Sequence, residues 1–259
     1  MSKLKVERQG HLAVLTLQSP PVNVLDLELM EELRAAVVKL THEARPDDKP
    51  RAILLASGVP GQFSQGLDPR AILTTDVEGR RNVFRTLCNM AEALWLGYVP
   101  VIADISGPAL AGGAVLATMA DFAIIDGEKG KICFSEVKVG LPLPKFVQRV
   151  ITAKVSPSAW SEVMLLGRNV DAADAHRLGF ANAVYKTPDE RKDALHAIVS
   201  KLTRLPPGAL SQTLREMRGG DRVLFDDFRG NMTAFADFLT DDYLVKGLKA
   251  VVRGESPKF

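Results

Sequence analysis

Cysteine is scarce in this chain, with Cys88 and Cys133 the only two among 259 residues. Two thiols without C-x-x-C spacing supply neither a disulfide framework nor a metal cluster, so both are expected to be reduced and packed. Aromatic residues make up only 6%, and basic and acidic residues nearly balance at 33 and 31. With no polybasic run and no aromatic platform interleaved with basic residues, nucleic-acid binding is excluded as the main activity. The four histidines, His11, His42, His176 and His196, stand in no motif that marks a catalytic base or a metal ligand. No apolar run approaches the roughly 20 residues that cross a bilayer. The opening M-S-K-L-K-V-E-R lacks the apolar core of a signal peptide, and the closing S-P-K-F is not a peroxisomal tripeptide. A cytoplasmic address without membrane attachment is the expectation.

What the chain does hold is 46% hydrophobic and 25% charged residues, enough for one large globular domain or one with an appendage. A hairpin is predicted from residues 4–8 and 11–17 about a turn at Gln9 and Gly10, with His11 exposed beside it. Residues 27–44 read as an amphipathic helix capped by Asp26, interrupted by 45–50. A second helix fits 78–96, and residues 73–79 read as a mobile connection placed to gate a pocket. Strands at 122–125 and 131–134 flank the turn D-G-E-K-G. Helices dominate afterwards: one through Leu166 capped by Ser156 or Ser158, then 171–178, 188–205, 210–217, 224–239 and 241–252. Strands alternating with helices give an α/β class.

Two glycine-bearing segments each follow an apolar, strand-like run. F-S-Q-G-L-D (63–68) follows R-A-I-L-L-A (51–56), and G-P-A-L-A-G-G-A-V-L-A-T-M-A-D (107–121) follows V-P-V-I-A-D-I (99–105). Turns at strand ends expose backbone N–H groups. Gly112 and Gly113 lead into a run of helix formers whose first turn carries unpaired donors and partial positive charge. Without a side chain at Gly112, a carbonyl can approach the backbone closely, and two such amides make an oxyanion hole for an enolate. A single glycine pair would be read as tight helix packing; two matching turns favour the oxyanion hole.

These segments, with P-P-V-N-V-L-D-L-E-L-M-E-E-L (20–33), F-S-E-V-K-V-G-L (134–141) and the closing D-D-Y-L-V-K-G-L-K-A-V-V-R-G-E-S-P-K-F, resemble the enoyl-CoA hydratase/isomerase, or crotonase, superfamily. Within it the chain is most similar to Δ3,Δ2-enoyl-CoA isomerases. The resemblance implies a spiral of β-β-α repeats in residues 1–200 and a C-terminal helical trimerisation region in 201–259. It assigns the oxyanion amides to Gln65 and Gly112. The glutamate that hydratases carry three residues after that glycine is Val115 here, whereas the second glutamate position matches Glu136. One carboxylate beside an oxyanion hole suits proton relocation from C2 to C4 of a 3-enoyl thioester better than hydration. Apolar neighbours of Glu136 would raise its pKa toward that of a working base. Val24, Leu67, Asp68, Gly113 and Val115 are expected at the substrate, Phe235 at the adenine of coenzyme A and Arg253 at a CoA phosphate. The resemblance further implies an acyl-CoA or acyl-carrier-protein substrate, a homotrimer or hexamer, no metal, and no cofactor beyond the coenzyme A of the substrate.

Four rival readings are weighed against this one. Ser64 between Gly61 and Gly66 has the spacing G-x-x-S-x-G, not the nucleophile elbow G-x-S-x-G of serine hydrolases. A crotonase-type decarboxylase would need a proton donor such as Glu136, Lys138 or Lys145, and hydratase activity is a further alternative. A non-catalytic, RNA-binding relative would rely on Arg80, Arg81 and Arg85.

Overall fold

The computed structural model describes residues 2–43 and 49–259. Strands β1 (Leu4–Gln9) and β2 (Leu12–Leu17) form the expected antiparallel hairpin, with Leu4 opposite Leu17 and Gly10 at φ 57° in the turn. Helix α1 (Leu27–Val38) starts where Asp26 accepts a hydrogen bond from Leu29 N, and it buries Leu29, Met30, Leu33 and Val37. It continues as a π turn, Lys39–Glu43; the predicted end at Ala44 lies outside the described residues. Strand β3 (Ala52–Ser57) leads to α2 (Pro69–Thr74) and α3 (Val77–Trp95). Thus the predicted connection 73–79 is mostly helix: Pro69 opens α2, and Asp76 caps α3 through Gly79 N.

Next come β4 (Val101–Ile105), β5 (Pro108–Leu110), α4 (Gly112–Thr118), β6 (Phe122–Asp126) and β7 (Lys131–Cys133). A 3-10 turn, Glu136–Val139, precedes α5 (Lys145–Lys154). Residues Pro157–Ala159 and Ser161–Leu165 form a 3-10 turn and a π turn instead of one α-helix. Ser156 makes no capping bond there, because its hydroxyl meets that of Ser158. Strand β8 (Val170–Asp171), α6 (Ala172–Leu178, capped by Asp171), β9 (Ala183–Tyr185), α7 (Pro188–Arg204) and α8 (Pro207–Arg218) follow. The helix predicted over 224–239 is two, α9 (Arg222–Gly230) and α10 (Met232–Thr240), broken at Gly230 and Asn231, a stop signal that the apolar periodicity hides. Helix α11 (Asp242–Val252) closes the fold.

Six strands form one sheet in the order β1-β2-β3-β4-β6-β9, parallel beyond the hairpin, and β5-β7-β8 form a second. The chain steps from one sheet to the other: β4 passes to β5, and β6 passes to β7, so each turn of the path adds a strand to each layer. An isolated bridge from Ser64 to Ala109 extends that second layer to the F-S-Q-G turn. Residues Ala52–Ala56 and Val101–Ile105 are buried throughout, as expected of parallel strands covered on both faces. One face meets the main core of α1, α3 and α4, and the other meets Leu202 and its neighbours on α7. Helices α9, α10 and α11 return to pack on α2, α3, α5 and the Glu136–Val139 turn. The buried Arg218 guanidinium, paired with Asp121 and donating to Trp95 O at 2.7 Å, ties α8 to the body. No helix among the described residues is long and apolar enough to cross a membrane.

Candidate active site

The P-P-V-N segment holds the F-S-Q-G turn in place. Asn23 is fully buried at φ 50°, and its side-chain amide accepts from Ser19 N and donates to Ser57 Oγ and to Phe63 O at 2.8 and 2.9 Å. Ser64 donates to Asn23 O at 2.7 Å and accepts from Gly66 N at 3.1 Å, so its hydroxyl is a structural strut and not a nucleophile. Val24 pairs with Gly66 across an isolated bridge. The expectation for Gln65 needs correcting. Its amide donates to Val22 O at 3.1 Å and is already engaged, while its exposed side chain reaches only Gln62. Among the described residues, the amide of Leu67 two places later has no hydrogen-bond partner.

That amide lies beside the start of α4. A Cβ added to Gly66, at φ 80°, would stand 2.7 Å from Gly112 N and 2.8 Å from Leu110 O. One added to Gly112 would stand 3.5 Å from Leu67 N. Glycine at both positions therefore brings two unpaired amides side by side without a side chain between them. Ala111 sets the direction of the second: its φ of 47° and ψ of −121° turn the peptide that carries Gly112 N–H. Such a non-glycine backbone costs about 1–3 kcal/mol. It is held from both sides, by Ala111 N donating to Cys133 O at 2.8 Å and Ala111 O accepting from Val115 N at 3.0 Å. Gly113 lets the helix start press against Ser64, whose carbonyl oxygen would lie 2.1 Å from an added Cβ.

Glu136 opens its 3-10 turn, which Gly140 closes at φ 83°. The residue keeps part of its surface exposed, yet its Oε2 is buried with no hydrogen-bond partner. Burial pushes the carboxyl up to about 7, against a smaller lowering by a backbone hydrogen bond. It lines a cavity of about 20 Å³ with Val115, Leu141, Pro142, Pro144, Phe84, Leu87, Phe146, Val147, Phe228 and Phe235. Val115 sits one helical turn beyond Gly112, so α4 runs from the free amides to the carboxyl. Leu67 and Asp68 line a separate cleft of about 360 Å³ with Leu25, Ala71, Ile72 and Thr75. Asp68 also caps α2 by accepting from Arg70 N at 2.8 Å.

Other expected residues fall elsewhere. Phe235 is 9% exposed and meets the rings of Phe84 and Phe228 edge-on, both at 5.1 Å. It is a wall of the Glu136 cavity, which corrects its assignment to an adenine contact. Arg253 is exposed, paired with Glu255 at 2.9 Å, and belongs to a separate basic cleft with Lys246, Lys249 and Lys258. Lys138 and Lys145 do not line the Glu136 cavity; both are exposed, and Lys145 pairs with Asp227. The arginines offered for RNA are also engaged: Arg80 binds the carbonyls of Ile72, Thr75 and Leu239, and Arg81 and Arg85 face Glu78. Asn23, Ala111 and the three further phenylalanines escaped the sequence reading. The left-handed turns at Asn23 and Ala111 leave no local signal, and the rings come from four separate helices.

A family model described as enoyl-CoA hydratase/isomerase matches residues 7–259. Rat mitochondrial enoyl-CoA delta isomerase 1 is 25% identical over 250 residues, covering 95% of this chain and 85% of the relative. A Thermus thermophilus protein named for enoyl-CoA hydratase activity is 26% identical over 260 residues, covering 99% of this chain and 100% of its own. The crystal structure of human mitochondrial Δ3-Δ2-enoyl-CoA isomerase superposes with a TM-score of 0.89 at 24% identity over 97% of each chain. That likeness shows the α/β spiral with its C-terminal helices.

Proposed function

The chain belongs to the enoyl-CoA hydratase/isomerase family, and from that premise we propose that it moves a double bond from the 3- to the 2-position of an enoyl-CoA. The amides of Leu67 and Gly112 hold the thioester oxygen. Negative charge that develops there in the dienolate is stabilised by both donors and by the positive end of α4. Glu136, as the carboxylate, takes a proton from C2 and returns it at C4, so the conjugated product forms with no net gain or loss of atoms. Coenzyme A arrives as part of the substrate.

One observation carries isomerisation over hydration. Among the described residues, only Glu136 is polar of the side chains lining the cavity. A cavity of about 20 Å³ admits a single water, but a water needs two to four polar partners to be held and aimed. Val115 stands where a second carboxylate would have supplied one. For decarboxylation, neither Lys138 nor Lys145 lines the cavity, which leaves Glu136 as the one donor of the three named that could protonate the enolate.

The test is to incubate the protein with 3-hexenoyl-CoA and with crotonyl-CoA. Conjugated-enoyl absorbance should appear with the first, and the absorbance of the second should persist. Glu136→Gln should slow the first reaction by about 100-fold to 10,000-fold, the usual range for a general base, with CoA-ester binding retained. Hydration of crotonyl-CoA with 3-hexenoyl-CoA untouched would overturn the reading.

A further inference from the structure

The cleft lined by Leu67 and the space lined by Val115 and Glu136 differ greatly in size. The cleft on the Leu67 side holds about 360 Å³, within the usual range of ligand pockets, whereas the space beside Glu136 holds about 20 Å³. An acyl group whose carbonyl lies at Gly112 N–H runs along α4 toward Val115. Three residues of helix cover about 4.5 Å, and three bonds of extended chain cover about 3.8 Å. On that path the reacting carbons C2 to C4 reach Val115 and Glu136, and the aromatic wall bounds the space that any further carbons must enter.

That wall is aromatic and built from four helices. Phe84 of α3, Phe146 of α5, Phe228 of α9 and Phe235 of α10 all line the cavity. Their rings form a continuous edge-to-face series: Phe84 to Phe235 at 5.1 Å, Phe235 to Phe228 at 5.1 Å and Phe228 to Phe146 at 5.3 Å. Phe146 stacks in turn on the fully buried Phe225 at 4.9 Å. Rings packed at these separations are near their preferred geometry, so one cannot swing aside without displacing the next.

We infer that the Phe84–Phe235–Phe228–Phe146 wall makes this a short-chain enzyme, accepting acyl groups of about four to six carbons and excluding those of ten. The inference rests on the acyl-thioester reading of the site. Phe235 is the member tested, because it touches two other rings of the wall, Phe84 and Phe228.

The test compares kcat/KM for 3-butenoyl-, 3-hexenoyl- and 3-decenoyl-CoA, and in parallel the affinities of butyryl-CoA and decanoyl-CoA by calorimetry. The wild-type protein should prefer the six-carbon to the ten-carbon substrate at least tenfold. Phe235→Ala should raise the ten-to-six ratio at least tenfold, with the milder Phe235→Leu in between; circular dichroism identifies the variant that remains folded. Equal use of hexenoyl and decenoyl substrates by wild type, or an unchanged ratio in a folded variant, would overturn the inference. If no length is isomerised and butyryl-CoA still binds more tightly than decanoyl-CoA, the isomerase reading fails and the chain-length limit stands.

Discussion

At the scale of single residues, the chemistry turns on a carboxyl group that water reaches poorly. Burial raises Glu136 to about 7, so the fraction present as a working base grows with pH. The kcat/KM for 3-hexenoyl-CoA should rise through about pH 7 and level off above it. The same shift has a cost in stability, and its sign follows from proton counts. In the unfolded chain the carboxyl titrates near 4.5. Between that value and about 7, the folded protein therefore binds the extra proton. The favourable contribution is complete below pH 4.5 and is lost as pH rises to 7, by at most about 3 kcal/mol. Glu136→Gln removes this dependence. Urea unfolding at pH 5 and pH 8 should show the variant gaining on wild type at the higher pH. Lys154, whose buried amine is lowered to about 8, titrates alike in both proteins and cancels from the comparison. A gap that stays constant between the two pH values would disprove the shift. The apolar company of Glu136 was legible nearby in Leu141, but most of the cavity wall was not. Nor did the motif F-S-Q-G-L-D show which amide is free: Gln65 N is engaged by Val22 O, far upstream, and that hydrogen bond leaves Leu67 as the donor.

At the scale of elements, the catalytic turn is supported by the last helix. Gly247 of α11 sits against the Glu136–Val139 turn so closely that an added Cβ would stand 2.7 Å from Val139 Cα and 2.9 Å from its carbonyl oxygen. Gly140 makes a similar approach to Leu244 N at 2.9 Å. In an open helix, glycine to alanine gains about 1 kcal/mol from propensity. Gly208 in α8, with nothing within 4 Å of an added Cβ, should behave that way. Gly247→Ala should have the opposite sign: contact with backbone costs about 1–3 kcal/mol, and displacement of the turn should lower kcat at least tenfold. Thermal melts and turnover of the two variants decide it; equal behaviour would remove α11 as a support. Elements with local signals were legible. Asp26 caps its helix as expected, and the hairpin follows from the turn at Gln9 and Gly10, although β2 is buried almost throughout where alternation was expected. The irregular run from Pro157 to Leu165 and the two-residue β8 were not, because tertiary packing outweighs weak propensities there.

At the scale of the whole molecule, the sequence announced the α/β class because both informative turns lie at strand ends and carry their glycines with them. It could not announce the division into two sheets. Residues 122–125 and 131–134 look like one hairpin about D-G-E-K-G, yet β6 joins the large sheet and β7 the small one. Only the distant partners of each strand, β4 and β9 against β5 and β8, decide this. The same dependence on distant partners extends beyond one chain. Leu165 and Leu166 are 69% and 67% exposed, and Met217 and Val223 are each 64% exposed. Single apolar residues at a surface need no explanation, but adjacent large aliphatics left in water mark a surface that another molecule covers. Closed cyclic symmetry with repeated copies of one chain satisfies such surfaces without leaving an open edge. These surfaces set no copy number; the trimer or hexamer is what the family resemblance implies, and on that expectation the protein should sediment at three times its 28.1 kDa chain mass or a multiple of that trimer. Leu165→Asp combined with Leu166→Asp should shift the distribution toward smaller species while far-ultraviolet circular dichroism stays unchanged. A wild-type protein that sediments as a single chain at micromolar concentration would refute the assembly.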